Sequence, residues 1–100
     1  MSNDPLLQPY QLKHLHLRNR IMITSHEPAY SENGMPTERY RAYHVERAKA
    51  GVALTMTAGS AAVSLDSPPV FDNLLVYKDE IVPWMKDLTD ECHEHGTAVM

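Results

Sequence analysis

Apolar residues recur along this chain at two different spacings, and each spacing predicts a different element. Between Pro5 and Leu17, Tyr10, Leu12, Leu15 and Leu17 alternate loosely with Gln11, Lys13, His14 and His16. A period near two predicts two short strands about a turn at Lys13-His14, although that turn lacks the Gly or Asn that tight hairpins favour. Next come Arg18-Asn19-Arg20, three apolar residues, and the small polar run Thr24-Ser25-His26-Glu27. A short apolar run with charge before it and small polar groups after it fits a buried parallel strand, here Arg20 to Thr24. Val52 to Thr57 repeats the pattern and ends in Ala58-Gly59-Ser60-Ala61-Ala62; Thr97 to Met100 opens a third strand.

Helical spacing fills the intervals. Thr37 suits an N-cap and Glu38 the positive end of a helix dipole. That helix runs to about Ala50, with Tyr40, Tyr43, Val45 and Ala48 as its apolar face and Gly51 as the C′ residue. From Asp79 to His95, Ile81, Trp84, Met85, Leu88 and Cys92 recur at three- and four-residue steps. Pro83 falls in the first turn, where a missing N–H does least harm, and Gly96 suits the stop. Ser25 to Pro36 reads as a loop, because the flanks of Asn33-Gly34 do not alternate as hairpin strands do. Ala58 to Lys78, with Ser67-Pro68-Pro69 inside it, is a connection long enough to suggest a functional role.

Strands separated by helices pair in parallel. Three such strands with two helices leave a sheet edge and a sheet face bare, whereas parallel sheets are covered on both faces. The expected fold is α/β: the N-terminal portion of a (β/α)8 TIM barrel, a hairpin followed by β-α-β-α-β, incomplete at 100 residues when such barrels need about 250. Residues 1–100 are thus expected to be an N-terminal fragment of a barrel domain. A doubly wound sheet is the alternative; the missing Gly-rich first turn counts against its nucleotide-binding form.

Charge narrows the partners. A net charge of −4 and no basic stripe argue against nucleic acid and anionic membranes. No apolar run reaches membrane-spanning length, and Met1-Ser2-Asn3-Asp4 lacks the start of a signal peptide. The single cysteine, Cys92, leaves no internal disulfide and suits a reducing compartment, so the cytoplasm is expected. In α/β folds ligands sit beyond the carboxyl ends of the strands, which directs attention to Thr24 through Pro28. The small residues around Gly59 suit either close approach of a flat ligand or tight packing at a crowded strand end. His14 and His16 share a face if both lie on a strand, and read as solvated. Cys92, His93 and His95 do not converge as i, i+4 ligands do, so no metal site is expected. No P-loop, G-x-G-x-x-G, G-x-S-x-G or zinc signature is present, and no lysine ends a strand to form a Schiff base.

Leu17-Arg18-Asn19-Arg20, the apolar run and Thr24-Ser25-His26 together resemble the first barrel strand of the old yellow enzyme, or NADH:flavin oxidoreductase, family. Pro9-Tyr10-Gln11-Leu12 is similar to the hairpin that closes the bottom of that barrel. Tyr43 to Leu54 and Trp84 onward resemble its later helices and strands in the same order. The Ser25-His26 ending and the Glu-Pro-Ala-Tyr loop look most like the branch that includes trimethylamine dehydrogenase, 2,4-dienoyl-CoA reductase and N-methylproline demethylase-like proteins. The resemblance implies FMN as cofactor, with Thr24, Ser25, His26 and Glu27 along the flavin and Gly59 beside its ring. It implies hydride transfer from a small amine, by oxidation or N-demethylation, or else NAD(P)H-dependent enoate or dienoyl reduction. Glu27 stands where many relatives have Thr or Cys; a carboxylate there suits a cationic amine substrate, the alternative being a Glu turned to solvent before Pro28. Full chains of that branch carry a 4Fe-4S cluster and a second region for FAD or NAD(P)H. Catalytic residues are expected beyond residue 100, as is the remainder of the barrel; a homo-oligomer is a further expectation. The non-enzymatic alternative is a truncated remnant without flavin.

Overall fold

The computed structural model describes residues 3–68 and 70–100; Met1, Ser2 and Pro69, which ends the Ser67-Pro68-Pro69 run, lie outside the described residues. A 3-10 turn at Pro5–Leu7, which the apolar pattern does not signal, starts the chain; Asp4 caps it by accepting from the Leu6 N–H at 3.0 Å. Strands β1 (Tyr10–Leu12) and β2 (Leu15–Leu17) pair antiparallel with Leu12 opposite Leu15. Lacking a glycine, their turn puts Lys13 itself at φ +53°. His14 therefore sits in the turn and not on a strand beside His16; His16 instead lies 3.2 Å from the Gln11 side chain.

Three strands, β3 (Met22–Ile23), β4 (Leu54–Thr55) and β5 (Ala98–Val99), form a parallel sheet in that order. All three are shorter than the apolar runs suggest, because the register aligns only Met22, Leu54 and Ala98, then Ile23, Thr55 and Val99. Further backbone bonds, such as Met56 N–H to Ile23 O at 3.0 Å, continue the alignment past the ladder.

Helix α1 (Glu38–Lys49) follows β3, and α2 (Ile81–Glu94) follows β4. Thr37 occupies the N-cap position but spends its hydroxyl on Glu32, leaving the first turn of α1 without a side-chain cap. Gly51 ends α1 at φ +106°. α2 closes with Gly96 at φ +79°, Gly96 N–H on His93 O and Thr97 N–H on Cys92 O, the paired bonds of a Schellman stop. The stripe reading of α2 holds: Ile81, Leu88 and Cys92 are buried, with Trp84 and Met85 packed beside them. They meet Tyr40, Val45 and Ala48 of α1, and Val99 joins them from the sheet. Each fully buried Leu-sized side chain contributes roughly 1.5–3 kcal/mol. Arg41 adds ion pairs across the helices to Glu91 at 3.0 Å and Asp87 at 3.7 Å.

Among the described residues, the opposite sheet face is covered at its amino-terminal end, where Leu15 and Leu17 of the hairpin pack on Leu54 and Ala98. Met22 and Met100 remain 42% and 65% exposed. The bare face inferred from the strand count is thus present, and the fold is the N-terminal portion of a (β/α)8 barrel with the hairpin beneath it. The Arg18-Asn19-Arg20 run fastens this lower end. Arg18 donates to Ala48 O, Val52 O and Thr97 Oγ1 at 3.0–3.2 Å, and Asn19 donates to Gly51 O at 2.7 Å.

Asn33-Gly34 departs from the loop expectation. Both residues have positive φ (+52° and +81°), and Glu32 and Met35 exchange backbone bonds at 3.0 Å. This is a tight primed turn one bridge deep, too short for flanking alternation to register.

Candidate functional site

The carboxyl ends of β3 and β4 form one rim. Thr24, Ser25, His26 and Gly59 are all exposed there. A Cβ placed on Gly59 would lie 4.0 Å from Ser25 O and 3.8 Å from Glu27 N, so the two strand ends adjoin. Those are ordinary contacts, and the protein's own atoms do not require glycine here. Side chains of Thr24 and Ser25 make no hydrogen bond among the described residues. Exposed backbone, two free hydroxyls and a residue without a side chain suit a flat, hydrogen-bonding ring laid against the rim. Of the five residues expected along a flavin, Thr24, Ser25 and Gly59 meet that description.

The other two are placed differently. The His26 ring leans back on Tyr43 of α1, 6.1 Å between centroids and 19° from parallel. Glu27 is half-buried: Oε1 accepts from the Ala29 N–H at 3.1 Å, while Oε2 is closed to water and has no partner among the described residues. Burial raises the Glu27 pKa, the Ala29 N–H and His26 oppose the rise, and Asp72 adds to it.

Beneath the rim, α1 holds β4 at two points one helical turn apart. The Ala58 N–H donates to Tyr40 Oη at 2.9 Å, and His44 Nδ1 lies 2.7 Å from Thr55 Oγ1. Tyr40, His44 and Thr55 are wholly buried. Burial pushes the Tyr40 phenol up to about 12, with the Glu27 charge contributing further, so the hydroxyl keeps its proton. Burial, aided by Arg47, lowers His44 to about 4, so its ring is neutral. His44 Nε2 has no partner among the described residues. The less costly tautomer carries the proton on Nδ1 and donates it to Thr55, leaving a bare lone pair instead of a stranded N–H. The sequence pattern reads Tyr40 as a packing group and gives His44 no role. The signal was present in the 40-44-48 spacing, which places His44 between two residues of the buried face.

Cations already occupy the aromatic faces nearby. Arg39 lies 3.8 Å above the Tyr30 ring and Arg47 lies 3.5 Å above Tyr43. The two loops that flank the rim are also joined. Leu75 N–H donates to Gly34 O at 3.0 Å, and Ser31 donates to Asp72 O and, at 3.3 Å, to Asn73 O. The long connection folds on itself through Ala62 N–H to Leu74 O at 2.8 Å and Val76 N–H to Ala62 O at 2.9 Å. No group of three or more His, Cys, Asp or Glu side chains among the described residues converges as metal ligands do. No helix of the described residues is long and apolar enough to cross a membrane.

Comparison with known proteins supplies the remaining findings. The sequence profile of the NADH:flavin oxidoreductase / NADH oxidase family matches residues 5–100. A probable N-methylproline demethylase of Rhizobium meliloti is 74% identical over 100 residues, covering 100% of this chain and 15% of that protein. A multifunctional alkene reductase/demethylase of Caballeronia cordobensis is 50% identical over 99 residues, covering 99% of this chain and 15% of the relative. Among solved structures, a 2-naphthoyl-CoA reductase complex superposes with a TM-score of 0.87 at 18% identity, over 95% of this chain and 14% of its own. The chain therefore spans about 15% of the length of these curated relatives.

Proposed function

Because the chain belongs to the NADH:flavin oxidoreductase / NADH oxidase family, we propose that its residues form the N-terminal part of an FMN-binding barrel domain in an oxidoreductase that demethylates a small N-methyl amine. Bound FMN would supply the acceptor for a hydride from the N-methyl carbon, the chemistry by which addition of water to that carbon would release formaldehyde and the demethylated amine. The rim carries this reading: Ser25 and Gly59 lie side by side on neighbouring strand ends, and both are exposed. Thr24, Ser25 and the backbone of His26 would orient the ring, and Gly59 would let it approach. The catalytic groups are assigned to strands after residue 100. The high identity to a protein described as an N-methylproline demethylase supports an N-methylated amino acid as substrate.

Glu27 enters this reading through its field. With Oε2 closed to water, it does not touch a ligand as placed, yet a charge near a desolvated ring still favours a cationic amine. Replacing Glu27 with Gln is expected to raise KM for the amine severalfold; unchanged turnover and KM would remove Glu27 from substrate recognition.

The test of the function is purification of the full-length protein. A flavin band near roughly 450 nm, FMN released on denaturation and formaldehyde formed from N-methylproline are expected. A colourless protein that forms no formaldehyde sinks the proposal and leaves the non-catalytic remnant. The second reading, reduction of an activated alkene at the expense of NAD(P)H, is favoured by the description of the Caballeronia relative. Cofactor consumption with an enone but not with the amine would select it. A 4Fe-4S cluster, an FAD or NAD(P)H region, a cytoplasmic setting and a homo-oligomer belong to the same proposal; iron analysis and sedimentation of the full-length protein check the first and last.

A further inference from the structure

We propose that Tyr40 is a positioning residue for the flavin edge: its buried hydroxyl oxygen, by accepting the Ala58 N–H, sets the height and direction of the Ala58-Gly59 turn against Ser25 and Glu27. The inference rests on the FMN reading above and assigns a role that the rim residues themselves do not reveal.

Three observations carry it. First, Ala58 sits at φ +28°, a conformation an alanine does not adopt unaided, so something outside the turn must hold it. Second, the one bond made by the Ala58 N–H among the described residues is the 2.9 Å contact to Tyr40 Oη, and Tyr40 is wholly buried. Third, the residue that follows Ala58 is Gly59, where an added Cβ would lie 4.0 Å from Ser25 O and 3.8 Å from Glu27 N. A rotation at Ala58 of a few tens of degrees would carry Gly59 off that edge. His44 fixes Thr55 three residues earlier from the same helix face. α1 therefore holds the strand end twice from below; the Thr57 N–H on Met100 O and the Asn73 amide on Ser60 O tie the residues flanking Ala58, but neither bonds Ala58 itself. Tyr40 contributes no atom to the rim.

The experiment uses the full-length protein and FMN. Tyr40→Phe removes one oxygen and preserves the ring that fills the core. Its expected effect is a rise of roughly fivefold in the FMN dissociation constant, the loss of one neutral hydrogen bond, read by quenching of flavin fluorescence. Val45→Ala, on the same buried helix face but party to neither holding bond, is the control for lost core stability. If Val45→Ala at an equal drop in apoprotein Tm weakens FMN as much as Tyr40→Phe, Tyr40 is only packing and the proposal is overturned. Should Tyr40→Phe not fold, amide hydrogen exchange of the wild-type holoprotein decides: slow exchange at Ala58 supports the strut, and exchange as fast as in exposed loops refutes it. Wild-type protein that takes up no FMN would sink the functional reading, whereas wild-type uptake with an unaltered Tyr40→Phe constant sinks only this inference.

Discussion

Replacing Gly34 with Ala tests whether the two loops over the rim are interlocked. Gly34 has φ +81°, and an added Cβ would lie 2.6 Å from Leu75 Cδ1 and 2.8 Å from Leu75 Cβ. Two costs follow. An L residue in the left-handed region loses about 1 kcal/mol. Overlap with a neighbour that cannot retreat adds about 1–3 kcal/mol. Leu75 cannot simply swing away, because its own N–H is bonded to Gly34 O. The total is about 2–4 kcal/mol. Gly51 provides the reference: it too has positive φ, +106°, but nothing lies within 4 Å of its Cβ position, so Gly51→Ala reports the backbone cost alone. Trimming Leu75 to Ala in the Gly34→Ala background removes the overlap and is expected to recover about 1–2 kcal/mol. The assay is hydrogen exchange and limited proteolysis of the full-length protein across residues 58–78, alongside apparent Tm. Gly34→Ala should accelerate exchange and cleavage in that segment although the substitution lies in the other loop. Equal effects of Gly34→Ala and Gly51→Ala, with no recovery in the double variant, would refute the interlock.

Other outcomes follow from the same geometry. His44 is held near 4 in the folded protein against 6.5 when exposed, so the unfolded state takes up the proton first as pH falls. Its contribution is fully present above about 6.5 and declines by up to about 3 kcal/mol between there and pH 4; denaturant midpoints against pH should show this decline, and His44→Gln should flatten it. Leu88→Ala empties a wholly buried site between the helices and should cost about 2–5 kcal/mol in denaturant unfolding. Arg18→Met removes bonds to Ala48 O, Val52 O and Thr97 Oγ1. Because Arg18 is partly in water, the expected loss is about 1–2 kcal/mol, visible as a lower Tm with FMN affinity unchanged.

Much of the fold was legible because its signals are local. The α2 stripe, the Gly51 and Gly96 stops and the apolar runs each depend on residues within a few positions of one another. What was hidden depends on distant chain. His44 is buried because Thr55 offers an acceptor across the helix–sheet layer. The Asn33-Gly34 turn, itself only one bridge deep, is tied by Leu75, far along the chain, whose N–H donates to Gly34 O. Arg18 reads as a charged strand boundary, yet it reaches three segments at once. At the rim, the exposure of Thr24, Ser25 and Gly59 is what strand-end reasoning expects, because exposure beyond a strand follows from its apolar length. The inward turn of Glu27 and the backward lean of His26 depend on Ala29 and Tyr43, and composition carries no trace of either.

Arg18, Asn19 and the hairpin gather at one extremity of the sheet, and the unburdened hydroxyls of Thr24 and Ser25 stand at the other. Such a division gives lineages freedom to retool. Variation at positions 24, 25 and 59 can accumulate without taxing the scaffold, so new chemistries can be sampled by drift before selection acts on any of them.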